Sequence, residues 1–176
     1  SGAPATFTTT GTITIPTGRT NVVTGGTFNY NSGSWGGRGS ISLSGGLTLN
    51  LTPNLTNDTT ALLLDSVTVN GPGRLVNAAG RTLILANSTD VKSPLDNLGE
   101  LVIRSANTID GPLTAPASSV IRLEATTAFN TTLTVASGFT NQGTIELTTT
   151  SGTTAVTLNV TAGSLVNDTG ATISVL

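Results

Sequence analysis

Apolar residues recur at every second position in short runs along this chain. The runs end near Ile15, Leu43, Leu64, Leu85, Ile103, Leu123, Leu147 and Val175. A period of two is the mark of a strand with one face buried. Successive runs end 28, 21, 21, 18, 20, 24 and 28 residues apart, so the spacing holds near a mean of about 23. Further short strands fall between them: Leu47-Thr-Leu49-Asn-Leu51, Val67-Thr-Val69, Leu133-Thr-Val135 and Leu158-Asn-Val160. Glycine corners separate the two sets, at Gly45-Gly46, Gly71-Pro72-Gly73, Ser137-Gly138 and Ala162-Gly163. Each period therefore holds two or three strands, and helical periodicity is nearly absent.

One phrase marks the same phase in several periods: a large apolar residue, any residue, Asn, a spacer with Gly, then an alternating strand. It reads Leu75-Val-Asn77-Ala-Ala-Gly80, Leu95-Asp-Asn97-Leu-Gly99, Phe139-Thr-Asn141-Gln-Gly143 and Leu165-Val-Asn167-Asp-Thr-Gly170. A sandwich of short strands needs no such matching, whereas a stack of repeating turns does. The pattern predicts an all-β chain forming one β-solenoid domain over residues 1–176, a parallel β-helix of about eight coils with 20–28 residues each. Right-handed coiling is expected, because crossovers between parallel strands are overwhelmingly right-handed. Inward positions such as Ile145, Leu147, Ile173 and Val175 would stack into columns, with coils about 4.8 Å apart and a rod of roughly 40 Å. Asn77, Asn97, Asn141 and Asn167, with Asn57 before them, are read as a structural ladder of corner amides that bond one another up the stack. The glycine after each is expected at positive φ.

Departures from the period are expected as protrusions. Residues 104–118 break the phase, with a bulged or looped turn expected over 104–113, and residues 89–94 are expected as another protruding corner. Residues 1–11, with Thr8-Thr9-Thr10, would be an N-terminal cap or a first strand. Val175-Leu176 finishes a strand with no polar cap, so the chain is expected to be an excerpt of a longer repeat protein, or to associate end to end.

Composition narrows the function classes. Charged residues are 9% of the chain, while 36 Thr, 16 Ser and 15 Asn supply its polarity. Mean hydropathy is +0.20. That suits β-branched packing on a pleated surface and not a disordered chain. Seven Lys and Arg with a net charge of −2 give no basic stripe for nucleic acid. No apolar run reaches the roughly 18 residues of a membrane span, so membrane insertion of this segment is not expected. The absence of Cys, His and Met removes thiolate chemistry, disulfides and the commonest metal ligand, so no metal and no cofactor are expected. Seven Asn-x-Ser/Thr sequons are little more than a chain so rich in Ser and Thr contains by chance.

The stretch Thr27-Phe-Asn-Tyr-Asn-Ser-Gly-Ser-Trp-Gly-Gly-Arg-Gly-Ser-Ile-Ser-Leu-Ser-Gly-Gly46, followed by the Asn-Gly phrases, resembles the Gly/Thr/Asn-rich repeats of large bacterial surface proteins. These are the filamentous haemagglutinin-like adhesins and autotransporter passenger domains, and the resemblance covers residues 12–176. It implies a right-handed parallel β-helix, export to the cell surface, and a role in adhesion or as a stalk, with a host- or cell-surface glycan or protein receptor as partner. It carries no catalytic residues.

Three chemical readings remain beside it. Tyr30 and Trp35, with Asn29, Asn31 and Arg38, form a candidate carbohydrate-binding patch, since planar rings beside amides and a guanidinium stack on sugars. Glu100, Glu124 and Glu146, with Arg104 and Arg122, occupy outward positions that stacking brings to one face. A carboxylate pair there would suit a polysaccharide lyase or hydrolase, while the bland alternative is a solvated row of alternating charges. Thr-x-Thr at Thr12-x-Thr14 and Thr132-x-Thr134 raises ice binding, but the pattern does not occur in every period.

Overall fold

A computed structural model describes residues 5–150 and 152–176. Among them are 24 strands and no helix. The strands fall in a repeating order on three parallel faces. Two faces hold eight strands each, and the middle face holds six followed by a pair, joined through the parallel bridge Ala115–Asn141. Each turn of the chain adds one strand to every face. Level 3, for example, consists of Thr48–Leu51, Leu55–Asp58 and Ala61–Asp65. The chain is thus a parallel β-helix winding through about seven turns between the first and last strands of a face, or about 34 Å of stack. Levels repeat after as few as 18 residues, from Val91 to Ile109, and as many as 28, from Leu147 to Val175.

The alternation dictates the interior. On the third face Leu43, Leu64, Leu85, Ile103, Leu123, Leu147 and Val175 are partners in unbroken register. Leu43 through Leu123 have no exposed surface, whereas Val175 in the last level is 82% exposed. Burying a Leu or Ile side chain stabilises by about 1.5–3 kcal/mol. Each column therefore ties its levels together at every step.

Ile15 departs from the expected column. It lies on the middle face, opposite Gly37, and the partner of Leu43 is Val23. Level 1 contains two apolar strands, Thr12–Ile15 and Thr20–Thr24, and the alternation of the first is the cleaner. Thr6–Thr9 is the first strand of the first face and pairs with Thr27–Tyr30. Residues 1–4 lie outside the described residues.

The predicted protrusions at residues 89–94 and 104–113 are tight corners instead. Val91 and Ser93 have no exposed surface, and Ala106–Ile109 and Leu113–Thr114 continue their faces in register. This is the most compact part of the helix. The connection from third to first face shrinks to the single residue Ser105, which adopts φ 63°. Ser66, Asn87 and Ser88 hold the same left-handed conformation at the equivalent corner. The extra residues emerge later at that corner, between Val120–Ala125 and Thr131–Val135 and again after Thr144–Thr149.

Candidate functional site

The amide column is structural. Asn57 Nδ2 donates to Asn77 Oδ1 at 3.0 Å, and Asn77 Nδ2 to Asn97 Oδ1 at 2.9 Å. Asn97 Nδ2 donates to the Val120 carbonyl at 2.9 Å. Level 6 carries Ala115 at this position, and the ladder resumes with Asn141 Nδ2 donating to Asn167 Oδ1 at 2.8 Å. Asn57, Asn77, Asn97 and Asn141 are wholly buried, while Asn167 is exposed. Gly80 and Gly170 take the expected positive φ. Gly99 and Gly143 are needed for a different reason: a Cβ would lie 2.4 Å from the Ala78 carbonyl oxygen in one and 2.2 Å from that of Ser119 in the other.

Trp35 occupies this same column, one level before Asn57. That position explains its fate. Trp35 is 1% exposed and Tyr30 2%, with ring centroids 5.9 Å apart and Phe28 5.2 Å from Trp35. Tyr30 Oη donates to the Gly33 carbonyl at 2.6 Å. Asn31 and Arg38 are exposed, and Asn29 accepts from Asn50 Nδ2 at 2.9 Å in a short outer ladder. Asn29 and Tyr30 lie on the first face, Trp35 on the middle face and Arg38 at the corner after it, and both rings are buried. The carbohydrate patch at Tyr30 and Trp35 is corrected on this point: it offers a sugar no ring to stack on.

Stacking does bring the charged residues together. Arg122 lies between Glu100 and Glu146 on neighbouring levels, paired with Glu100 Oε1 through Nη1 and with Glu146 Oε2 through Nε at 2.7 Å. The hydrogen bond that Arg122 donates to Glu146 is the main cause that raises the guanidinium further above its ordinary range. Arg104 Nη2 pairs with Glu124 Oε2 at 3.1 Å, Arg74 with Asp96 at 2.6 Å and Arg81 with Asp58 at 2.8 Å. All five of these pairs join adjacent levels. Among the described residues no group of three His, Cys, Asp or Glu gathers to hold a metal. The threonines of the first face do form a row, Thr6, Thr27, Thr48 and Thr68, but Asp90 follows in register and interrupts it. Thr12 and Thr14 lie on the middle face.

A feature invisible in the alternation sits at the third-to-first corner. There the loop of residues 126–130 holds Phe129 with 63% of its surface exposed. Beneath it is a pocket of about 220 Å³ whose lining includes Asn87, Arg104, Ser105, Glu124 and Thr131. Phe129 stands outside every strand and every repeated phrase. The only available signal was an aromatic residue in a Thr-rich insertion. Comparisons of the chain with protein-family models, with curated proteins and with solved structures give no match.

Proposed function

We propose that this chain is a non-enzymatic structural and adhesive segment of an exported bacterial surface protein, working outside the cell. The observation that carries the reading is the use made of its polar side chains. Buried amides bond from one level to the next, and five Arg–carboxylate pairs staple adjacent levels on the outside. Such investment suits a rod that resists opening between turns. Its flat faces supply reach and room for weak contacts repeated along the stack, which multiply into avidity. The partner would be a glycan or protein receptor on a host or neighbouring cell.

Display of the chain on bacteria that do not otherwise adhere tests this directly. Cells carrying it are expected to attach to glycan- or receptor-coated surfaces more than cells displaying a Gly/Ser linker of equal length. Equal attachment across a broad panel of surfaces sinks the adhesive reading. The enzymatic alternative is tested with a polysaccharide panel. Depolymerisation that disappears in Glu124→Gln or Glu146→Gln would replace the proposal.

A further inference from the structure

We propose that the corner pocket beneath Phe129 binds one neutral pyranose unit of a glycan. This rests on the adhesive reading and gives it a site. A pyranose has an apolar face of C–H groups and a rim of hydroxyls. Recognition therefore needs an accessible ring beside fixed donors and acceptors. Phe129 supplies the ring, on a loop closed by an internal turn and anchored through Asn130. The Phe129 amide donates to the Thr126 carbonyl at 3.4 Å, and Asn130 Oδ1 accepts from the Ala155 amide at 2.8 Å. A Phe side chain has few rotamers to lose, so a tethered ring binds at low entropic cost.

The polar rim comes from the levels below. Arg104 Nε donates to Glu124 Oε2 at 3.1 Å. A guanidinium has five N–H groups and a carboxylate about four lone-pair sites. Each partner thus has capacity left for hydroxyls after their mutual bond. Their side chains are 50% and 28% exposed, open enough to meet a ligand. The floor is rigid. Thr131 is fully buried, its Oγ1 accepting from the Ser105 amide at 3.1 Å and donating to the Glu124 carbonyl at 2.8 Å. Ser105 itself holds φ 63°, a conformation costly for a side-chain-bearing residue that tends to occur at ligand clamps. Asn87 adds an amide, fixed by donating to Asp65 Oδ1 at 3.0 Å.

Charge and size define the ligand. Glu124 already matches Arg104, and Asp65 stands behind Asn87, so no positive charge is left over for a sialic or uronic acid. A pocket near 220 Å³ lies below the roughly 300–1,000 Å³ of sites for drug-sized molecules, which suits one sugar ring and not an enclosed chain.

The test uses the 176-residue chain and three variants, Phe129→Ala, Phe129→Trp and Arg104→Gln, on an array of neutral and acidic glycans, followed by calorimetric titration of the hits. Bacterial polysaccharide fragments and desialylated host glycans form separate arms, distinguishing the source of the sugar. The expected result is binding of a neutral glycan, weakened roughly tenfold or more by Phe129→Ala and by Arg104→Gln and retained by Phe129→Trp. Phe129 is largely exposed, so its variants should melt with the parent chain. Binding to acidic glycans alone, binding unchanged in Phe129→Ala, or Phe129-dependent binding to a deglycosylated protein each overturns the assignment. If Phe129→Ala binds glycans and adheres as well as the parent, the pocket assignment falls and the adhesive reading stands. If the parent neither binds nor adheres, both fall.

Discussion

The Asn77 side-chain amide donates to Asn97 Oδ1 and to the carbonyls of Arg81 and Glu100, and its oxygen accepts from Asn57. Removing it strands several buried groups at once, each costing about 1–3 kcal/mol when left unpaired. Asn77→Ala is therefore expected to lose about 3 kcal/mol in urea unfolding, while Asn167→Ala at the exposed end of the column loses less than about 1 kcal/mol. Equal losses would mean that the column does not act as a ladder. Tyr30 offers a second residue-scale measurement. It is the only tyrosine, and burial raises its phenol above the ordinary value of 10.0. Below that value folded and unfolded chains both keep the proton, and the bond to Gly33 contributes fully. Above it the unfolded chain ionises first, so stability falls as pH rises toward the raised folded value. The phenolate absorbance of the native protein is expected to appear above the ordinary pH and to coincide with unfolding. A titration at or below the ordinary value, with the fold intact, would show that the ring is accessible.

At the scale of strands, the outward residues decide how neighbouring levels attract. Arg122 on Val120–Ala125 bridges carboxylates on the strands to either side. Partly exposed pairs contribute little individually, so Arg122→Gln should cost about 1 kcal/mol in dilute buffer and Arg122→Glu roughly 2 kcal/mol, both shrinking as salt is added. A loss that ignores ionic strength would assign the effect to packing of the arginine stem over Val102, its partner in register. These elements also show which parts of the fold could be read in advance. The columns from Leu43 to Val175 were legible because each strand alternates and each has one phase. Ile15 was misplaced because level 1 has two candidate strands and nothing local says which face a strand joins. Trp35 reads as a binding residue because it lies near Tyr30, Asn29, Asn31 and Arg38 in the sequence. Its column position, which buries it, depends on register with Asn57. Phe129 was missed because a loop has no period to violate.

At the scale of the whole molecule, the stack differs between middle and ends. Ile173, Val175 and Leu176 in the last level are 46%, 82% and 70% exposed, and Phe7 and Val22 in the first level are 49% and 64% exposed. Strand edges with apolar surface favour further pairing. Light scattering of this chain is expected to show concentration-dependent association that Ile173→Lys with Val175→Lys suppresses. A strict monomer at high concentration removes end-to-end contact from the reading. The middle makes a sharper demand. Asn77 and Asn97 are equivalent points one turn apart, so deleting residues 78–97 removes one full turn and rejoins the chain in phase. Every remaining inward residue keeps its direction. In a stack whose stability sums over levels and the interfaces between them, that chain should still fold. It should be less stable, and shorter by about 4.8 Å in solution scattering. Deleting residues 78–87 removes fewer residues but joins two different faces, turning apolar columns outward, and should leave no cooperative unfolding transition. If the smaller deletion is tolerated as well as the larger, the levels are not the units on which this fold is built.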